Sequence, residues 1–212
     1  MNPFEIDFSN AHWLNEPSSS QVSAAEVHIT TEPRTDFWQR SYYGFRADNA
    51  PALLFKSADN FSFSLRCRFH YQERYDQCGL FLYLDAENWA KASVEYEDDR
   101  TSRLGSVITN LGHSDWATTD IATPTEMHYR LSRRGPDFLL ESSPNGANFR
   151  QLRIFHLSAL GETDAAAAQI DPPPAPLRSV QFGLYACSPE ASSFETVFNQ
   201  FQLQSTLWRA HR

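Results

Sequence analysis

Phe61-Ser62-Phe63-Ser64-Leu65-Arg66-Cys67-Arg68-Phe69-His70-Tyr71 carries an apolar side chain at every odd position and a polar one at every even position. A repeat of two residues belongs to a β-strand, so the segment predicts a long strand with its odd face in a core. On that reading Phe63 is costly to truncate, whereas Ser62→Ala on the outward face is nearly silent. Arg66, Arg68 and His70 then share a solvated convex face. Residues 78–84 are apolar on both faces and short, which suits a strand covered on both sides. Residues 89–96 divide into a burying set (Ala90, Ala92, Val94, Tyr96) and an opposite row, Trp89, Lys91, Ser93 and Glu95. Residues 104–109, 127–133, 137–142, 149–156, 180–187 and 194–203 read as further strands. Turns fall at Gly135-Pro136 and at 143–146, and residues 36–44 and 52–56 supply two earlier strands.

Helical periodicity is almost absent, so the chain predicts an all-β sandwich or barrel. Its 212 residues fit a single domain, 1–212, with a core from about 13 to 204. A run of alanines and prolines at 159–177 reads as a surface loop, and residues 205–212 as a frayed tail. Hydrophobic residues make up 41% and charged residues 21%, ordinary globular usage that excludes wholesale disorder. The net charge of −8 argues against nucleic acid and anionic membranes as partners. No apolar run reaches the roughly 18–20 residues that span a bilayer. The opening MNPFEIDFSNAHWLNE lacks the basic start and apolar stretch of a signal peptide. Three cysteines (Cys67, Cys78, Cys187) are too few and of the wrong parity for a disulfide framework, which points to a reducing, cytoplasmic setting.

The row Trp89/Lys91/Ser93/Glu95 is the sharpest chemical feature. Side chains two apart on a strand are about 7 Å apart, so the row spans roughly 20 Å. An indole offers a flat apolar plane, while lysine and glutamate supply a donor and an acceptor. That combination suits a sugar ring, with its apolar face and rim of hydroxyls. The competing reading is a solvated outer face with one tryptophan packed under a loop. Ser114-Asp115-Trp116 places Asp115 and Trp116 on a connecting loop, where binding residues are common, although Asp115 also suits a turn cap. Tyr83, Glu141 and Tyr185 are further groove candidates, depending on which way each strand faces. The histidines form no H-x-x-H or H-E-x-x-H spacing and the cysteines no C-x-x-C pair, so no metal or other cofactor is expected. No G-x-S-x-G or phosphate loop is present.

Several segments together resemble the DUF1349 family: Asp76-Gln77-Cys78-Gly79-Leu80 as a D-x-x-G-L strand, and Glu87 to Glu95 as a W-x-K-x-x-x-E strand. Ser106-Val107-Ile108-Thr109 is similar to an S-V-V-T strand, with isoleucine at its third position, and Ser114-Asp115-Trp116 to an S-D-W loop. The resemblance covers about Trp13 to Gln204. It implies a concanavalin A-like antiparallel jelly roll, one of whose sheets has a concave open face; similar domains occur beside glycosidase domains. Fold alone does not assign an activity. The expectation is a binding site for carbohydrate, or another small polar ligand such as a polyol, at Trp89, Lys91, Glu95, Trp116, Tyr83 and Asp115, with Trp89 as the stacking platform. A glycoside hydrolase is the first alternative. It needs two carboxylates about 5–5.5 Å or roughly 6.5–9.5 Å apart, with Glu95 as one and Glu97, Asp85 or Asp115 as the other. The strand register of laminarinase-type enzymes asks for alternating acids, and Lys91/Ser93/Glu95 supplies only one. A regulatory module of sugar metabolism with a protein partner is the other alternative.

Overall fold

A computed structural model describes residues 6–176 and 178–210; residues 1–5 of the opening stretch, position 177 of the Ala/Pro-rich run and the last two positions of the expected tail lie outside the described residues. Two seven-stranded sheets form, with antiparallel pairing throughout. The first sheet runs, in spatial order, β1 (His12–Leu14), β6 (Ala52–Ser57), β15 (Val180–Cys187), β8 (Gln77–Asp85), β9 (Asn88–Tyr96), β10 (Thr101–Asn110) and β11 (His113–Ala122). The second runs β14 (Arg150–His156), β13 (Asp137–Ser143), β12 (Glu126–Arg134), β7 (Phe61–Phe69), β16 (Glu195–Ser205), β3 (Glu26–Thr30) and β2 (Ser20–Val22). The sheets face one another as a jelly-roll sandwich of the concanavalin A-like kind. A short hairpin, β4 (Phe37–Gln39) and β5 (Arg46–Asp48), belongs to neither.

The alternating odd face of β7 is what closes the sandwich. Phe61, Phe63, Leu65, Cys67 and Phe69 are all buried, against Leu80, Leu82, Ala90, Ala92 and Val94 of the first sheet. Phe63 lies between the rings of Phe55 and Phe182, with centroids 6.1 and 5.1 Å away. A second, smaller core sits on the far side of the first sheet, where Phe37 and Trp38 of the hairpin cover Leu54, Phe81, Trp89 and Tyr185. Residues 78–84 are apolar on both faces because β8 is packed on both: between the sheets and under this hairpin.

Three details depart from the sequence reading. Ser114, Asp115 and Trp116 lie within β11, not on a loop, and Trp116 pairs with Val107. β11 is an outermost strand, mostly exposed apart from the buried Ser114, and has no apolar alternation to betray it. Ser62 is buried, because its hydroxyl meets Ser132 at 2.6 Å and accepts from the Leu207 amide at 2.8 Å. The same contact ties down chain expected to fray, and Arg134 adds to it by donating to the Trp208 carbonyl at 2.9 Å. Arg134 also pairs with Asp171 at 2.7 Å, fastening the Ala/Pro-rich segment to β12.

Phe63→Ala should lower unfolding free energy by about 3–5 kcal/mol through the cavity it leaves. Ser62→Ala should cost roughly 1–2 kcal/mol by stripping partners from buried polar groups. Urea unfolding of both variants checks the order; a larger loss for Ser62→Ala would contradict the packing described.

Candidate functional site

The row on β9 does occupy one face, but that face is roofed. Trp89 is only 1% exposed, held 5.6 Å from the Phe37 ring and 5.8 Å from that of Phe81. It is a floor residue of the second core and offers no open indole plane, so the expected stacking platform is corrected. The physical reason is the hairpin, whose Phe37 stacks on Phe81 at 4.4 Å and seals this end of the sheet.

Further along the same face the roof ends and a cavity of about 330 Å³ opens. Cross-strand register assembles its floor. Lys91, Val107 and Trp116 come from one cross-strand row, Ser93 and Gly105 from the next, and Gln77, Glu95 and Arg103 from a third. The glycines flanking Ser93 keep the middle row low. A Cβ on Gly105 would come within 2.5 Å of the Ala117 carbonyl oxygen, and one on Gly79 within 2.0 Å of that of Ala92. Lys91, Glu95 and Trp116 line the cavity, as do Asp36, Gln77 and Arg103. Its walls are aromatic: Trp38, Tyr43, Phe45 and Tyr75 join Trp116, which is 36% exposed.

Lys91 is 4% exposed and donates to Asp36 Oδ1 at 2.7 Å. Burial alone would lower its pKa, but the nearby Asp36, Cys187 and Glu95 outweigh burial and raise it. Asp36 also accepts from the Phe37 amide at 2.7 Å, so one carboxylate joins the sheet to the first residue of the hairpin. Gln77 organises the opposite end. Its amide nitrogen donates to the Tyr75 carbonyl at 3.2 Å and to Glu95 Oε2 at 3.0 Å. Its amide oxygen accepts from the Tyr185 hydroxyl at 3.0 Å and the Ser93 hydroxyl at 3.4 Å. The Tyr75 carbonyl can only accept, which fixes the orientation of the amide. Glu95 Oε1 is sealed from solvent and has no hydrogen-bond partner. Burial accordingly pushes the Glu95 carboxyl up to about 7, with Lys91 and Arg103 opposing and Asp36 and Glu97 reinforcing the shift.

The remaining sequence candidates lie elsewhere. Tyr83 is half-buried against the second core and does not line the cavity. Asp115 is 70% exposed and pairs with Arg153 at 2.8 Å, because its position on β11 alternates away from Trp116. Tyr185 is buried beneath the hairpin, and Glu141 pairs with Arg130 at 2.6 Å. Of the acids paired with Glu95 in the hydrolase alternative, none lines the cavity. Glu97 is bound by Arg74 at 2.8 Å and Arg103 at 3.0 Å; Asp85 accepts from the Glu87 amide at 2.9 Å in the turn after β8. The hairpin residues Asp36, Trp38, Tyr43 and Phe45 were missed by sequence reasoning, although Tyr42-Tyr43-Gly44-Phe45 was a signal. Aromatics around a turn glycine have no strand core to enter.

Residues 13–206 match the family described as "Protein of unknown function (DUF1349)". The chain belongs to the DUF1349 family. It is 37% identical over 112 residues to "Regulation of enolase protein 1" of Saccharomyces cerevisiae, an alignment covering 53% of this chain and 56% of that protein's length. The chain thus aligns with little over half of that curated relative. A crystal structure of a functionally unknown protein from Saccharomyces cerevisiae superposes with a TM-score of 0.80 at 25% identity, over 96% of this chain and 100% of that one. The GH43 protein BlXynB of Bacillus licheniformis gives 0.68 at 13% identity, over 96% of this chain and 38% of that one. This last likeness is one of fold. Among the described residues of this family member, no helix is long and apolar enough to cross a membrane.

The Glu95 shift has a signed consequence. A carboxyl whose pKa rises on folding binds its proton more tightly in the native state. Its contribution is fully present below the ordinary 4.5 and lost as pH climbs through about 7. Glu95→Gln, which has no charge to bury, should therefore gain stability relative to wild type between pH 5 and pH 8. Urea melts across that range read the difference, and a constant gap would contradict the burial of Glu95.

Proposed function

We propose that this DUF1349 protein binds a carbohydrate or related polyol in the cavity beside the hairpin. The observation that carries the reading is the pairing of aromatic walls with a polar floor. Trp38, Tyr43, Tyr75 and Trp116 offer ring surface to the apolar side of a sugar. Below them Lys91, Ser93, Gln77 and Glu95 supply donors and acceptors for its hydroxyls. A volume of about 330 Å³ lies at the small end of the range for ligand pockets, which suits one or two sugar rings. Trp116, 36% exposed, takes over the stacking role first expected of Trp89, while Trp38, 8% exposed, lines the wall from the second core. Three buried free thiols support a reducing, cytoplasmic location.

A second reading, an enzyme acting on glycosides, draws on the raised pKa of Glu95, which suits a general acid. It needs a second, ionised carboxylate: the buried lysine engages Asp36, which shares the cavity, and Glu190, which also lines it, has no ion-pair partner among the described residues.

Calorimetric titration with neutral mono- and oligosaccharides tests the proposal. Trp38→Ala and Trp116→Ala should each weaken binding roughly tenfold, the loss expected for a buried aromatic anchor. Trp89→Phe should lower the melting temperature and leave affinity within about threefold. No binding by any sugar at millimolar concentration, or equal affinities in all three variants, would overturn the reading. Release of a sugar from aryl glycosides, abolished in Glu95→Gln, would favour the enzyme instead.

A further inference from the structure

Tyr42 is the most exposed large apolar side chain among the described residues, at 96%, beside 65% for Leu111 and 54% for Tyr43. Its T-shaped contact with the Tyr43 ring, centroids 4.9 Å apart, therefore leaves almost the whole side chain in water. Such a residue adds little to any core, and the backbone beneath it is strained as well. Tyr42 has a φ of 59°, in the left-handed region that a bulky side chain rarely enters, and Arg40 has a φ of 58°. The loop is held in this shape by its surroundings. The Arg40 amide donates to the Phe45 carbonyl at 2.8 Å and the Gly44 amide to the Arg40 carbonyl at 2.7 Å. The Arg40 guanidinium reaches the Glu87 carboxylate at 2.6 Å and the Gly112 carbonyl at 2.8 Å, tying the loop to two turns of the first sheet. Strain of this kind persists only where neighbours impose it, and it gathers at binding sites.

The place of the ring suggests its use. Tyr43 and Phe45, which follow it in the chain, line the cavity, and Tyr42 does not. Aromatic surface thus continues from the cavity wall through Tyr43 to a ring standing outside. We infer that Tyr42 is an outer stacking site for a sugar ring, so that the ligand is an oligosaccharide whose chain leaves the cavity across the hairpin tip. This rests on the carbohydrate reading and names the ligand class within it. A tyrosine suits the position, because its ring meets the apolar side of a sugar while its hydroxyl bonds water or a sugar hydroxyl. Even if wholly covered, the stripe formed by Tyr42, Tyr43 and Phe45 falls short of the roughly 800 Å² that each side of a standard protein interface buries. The net charge of −8 disfavours an anionic membrane surface as the occupant.

Calorimetry of the full chain compares glucose with cellotriose and xylose with xylotriose. In at least one pair the trisaccharide should bind about tenfold tighter, the factor of one added aromatic contact. A trisaccharide that binds where its monosaccharide gives no signal is the same result. The ratio should fall towards one in Tyr42→Gly and persist in Tyr42→Phe, which keeps the ring. Thermal melts separate recognition from packing. Glycine enters the left-handed region without strain, so Tyr42→Gly should melt no lower than the wild type. Equal affinities for short and long sugars in the wild type, or a ratio unchanged in Tyr42→Gly, would overturn the inference and leave the carbohydrate reading standing. So would a lost ratio accompanied by a lower melting temperature, which would make Tyr42 a packing residue. No binding by any of the four sugars would overturn both.

Discussion

The buried ion pair between Lys91 and Asp36 holds the hairpin to the face of the first sheet. A lysine in the middle of a buried strand is tolerable only with a partner, since an unpaired ammonium there costs far more than one contact returns. Asp36 supplies that partner from outside the sheet, at the first residue of the hairpin lead-in. Satisfying the charge therefore fixes where the hairpin lies: Phe37 falls on Phe81 and Trp89, and Trp38 turns to the cavity. Removing either member would leave a stranded charge beneath the roof, a loss of about 3–5 kcal/mol by analogy with other buried pairs. The rest of the covering hairpin is held by weaker ties. Arg40 meets Glu87 at 2.6 Å and the Gln39 amide donates to Ser114 at 2.9 Å.

Much of this was legible in the sequence, and the reasons are local. The period-two pattern of β7 reflects a strand with one wet face and one dry. The even–odd split of β9 correctly separated Ala90, Ala92 and Val94 from Lys91, Ser93 and Glu95, whereas Tyr96, expected to bury with them, is only half-buried at the strand's end. What the pattern could not carry was the state of the second face. Trp89 on a strand looks the same whether the space above it is solvent or another segment of chain, and the cover comes from residues 36–48, far away in sequence. β11 escaped for a different reason. As an outermost strand with both faces largely wet, it has no hydrophobic period, and its polar residues imitate a loop. Ser62 shows the limit at the scale of one side chain, since burial by a C-terminal crossing leaves no mark on the strand itself.

The likeness to the GH43 protein BlXynB extends to the scaffold alone. The scaffold is shared at low identity, and scaffolds of this kind host many chemistries. What is particular to this chain is the arrangement above the sheet: a short aromatic hairpin, a lysine–aspartate anchor and a half-sunken glutamate. The second core and the cavity draw on the same residues here. The hairpin that completes the second core also supplies Asp36, Trp38, Tyr43 and Phe45 to the cavity, so ring residues such as Trp38 serve packing and cavity wall together.

Trp116 stands on β11, the last strand of its sheet, whose far side offers backbone donors and acceptors with no strand beside them among the described residues. The doorway of the cavity and the open border of the sheet are thus one piece of chain. Any extended segment that zipped onto that border, from a partner or a neighbouring copy, would lengthen the sheet and rebuild the threshold over which a ligand passes. Assembly and admission would then be set by a single stretch of ten residues.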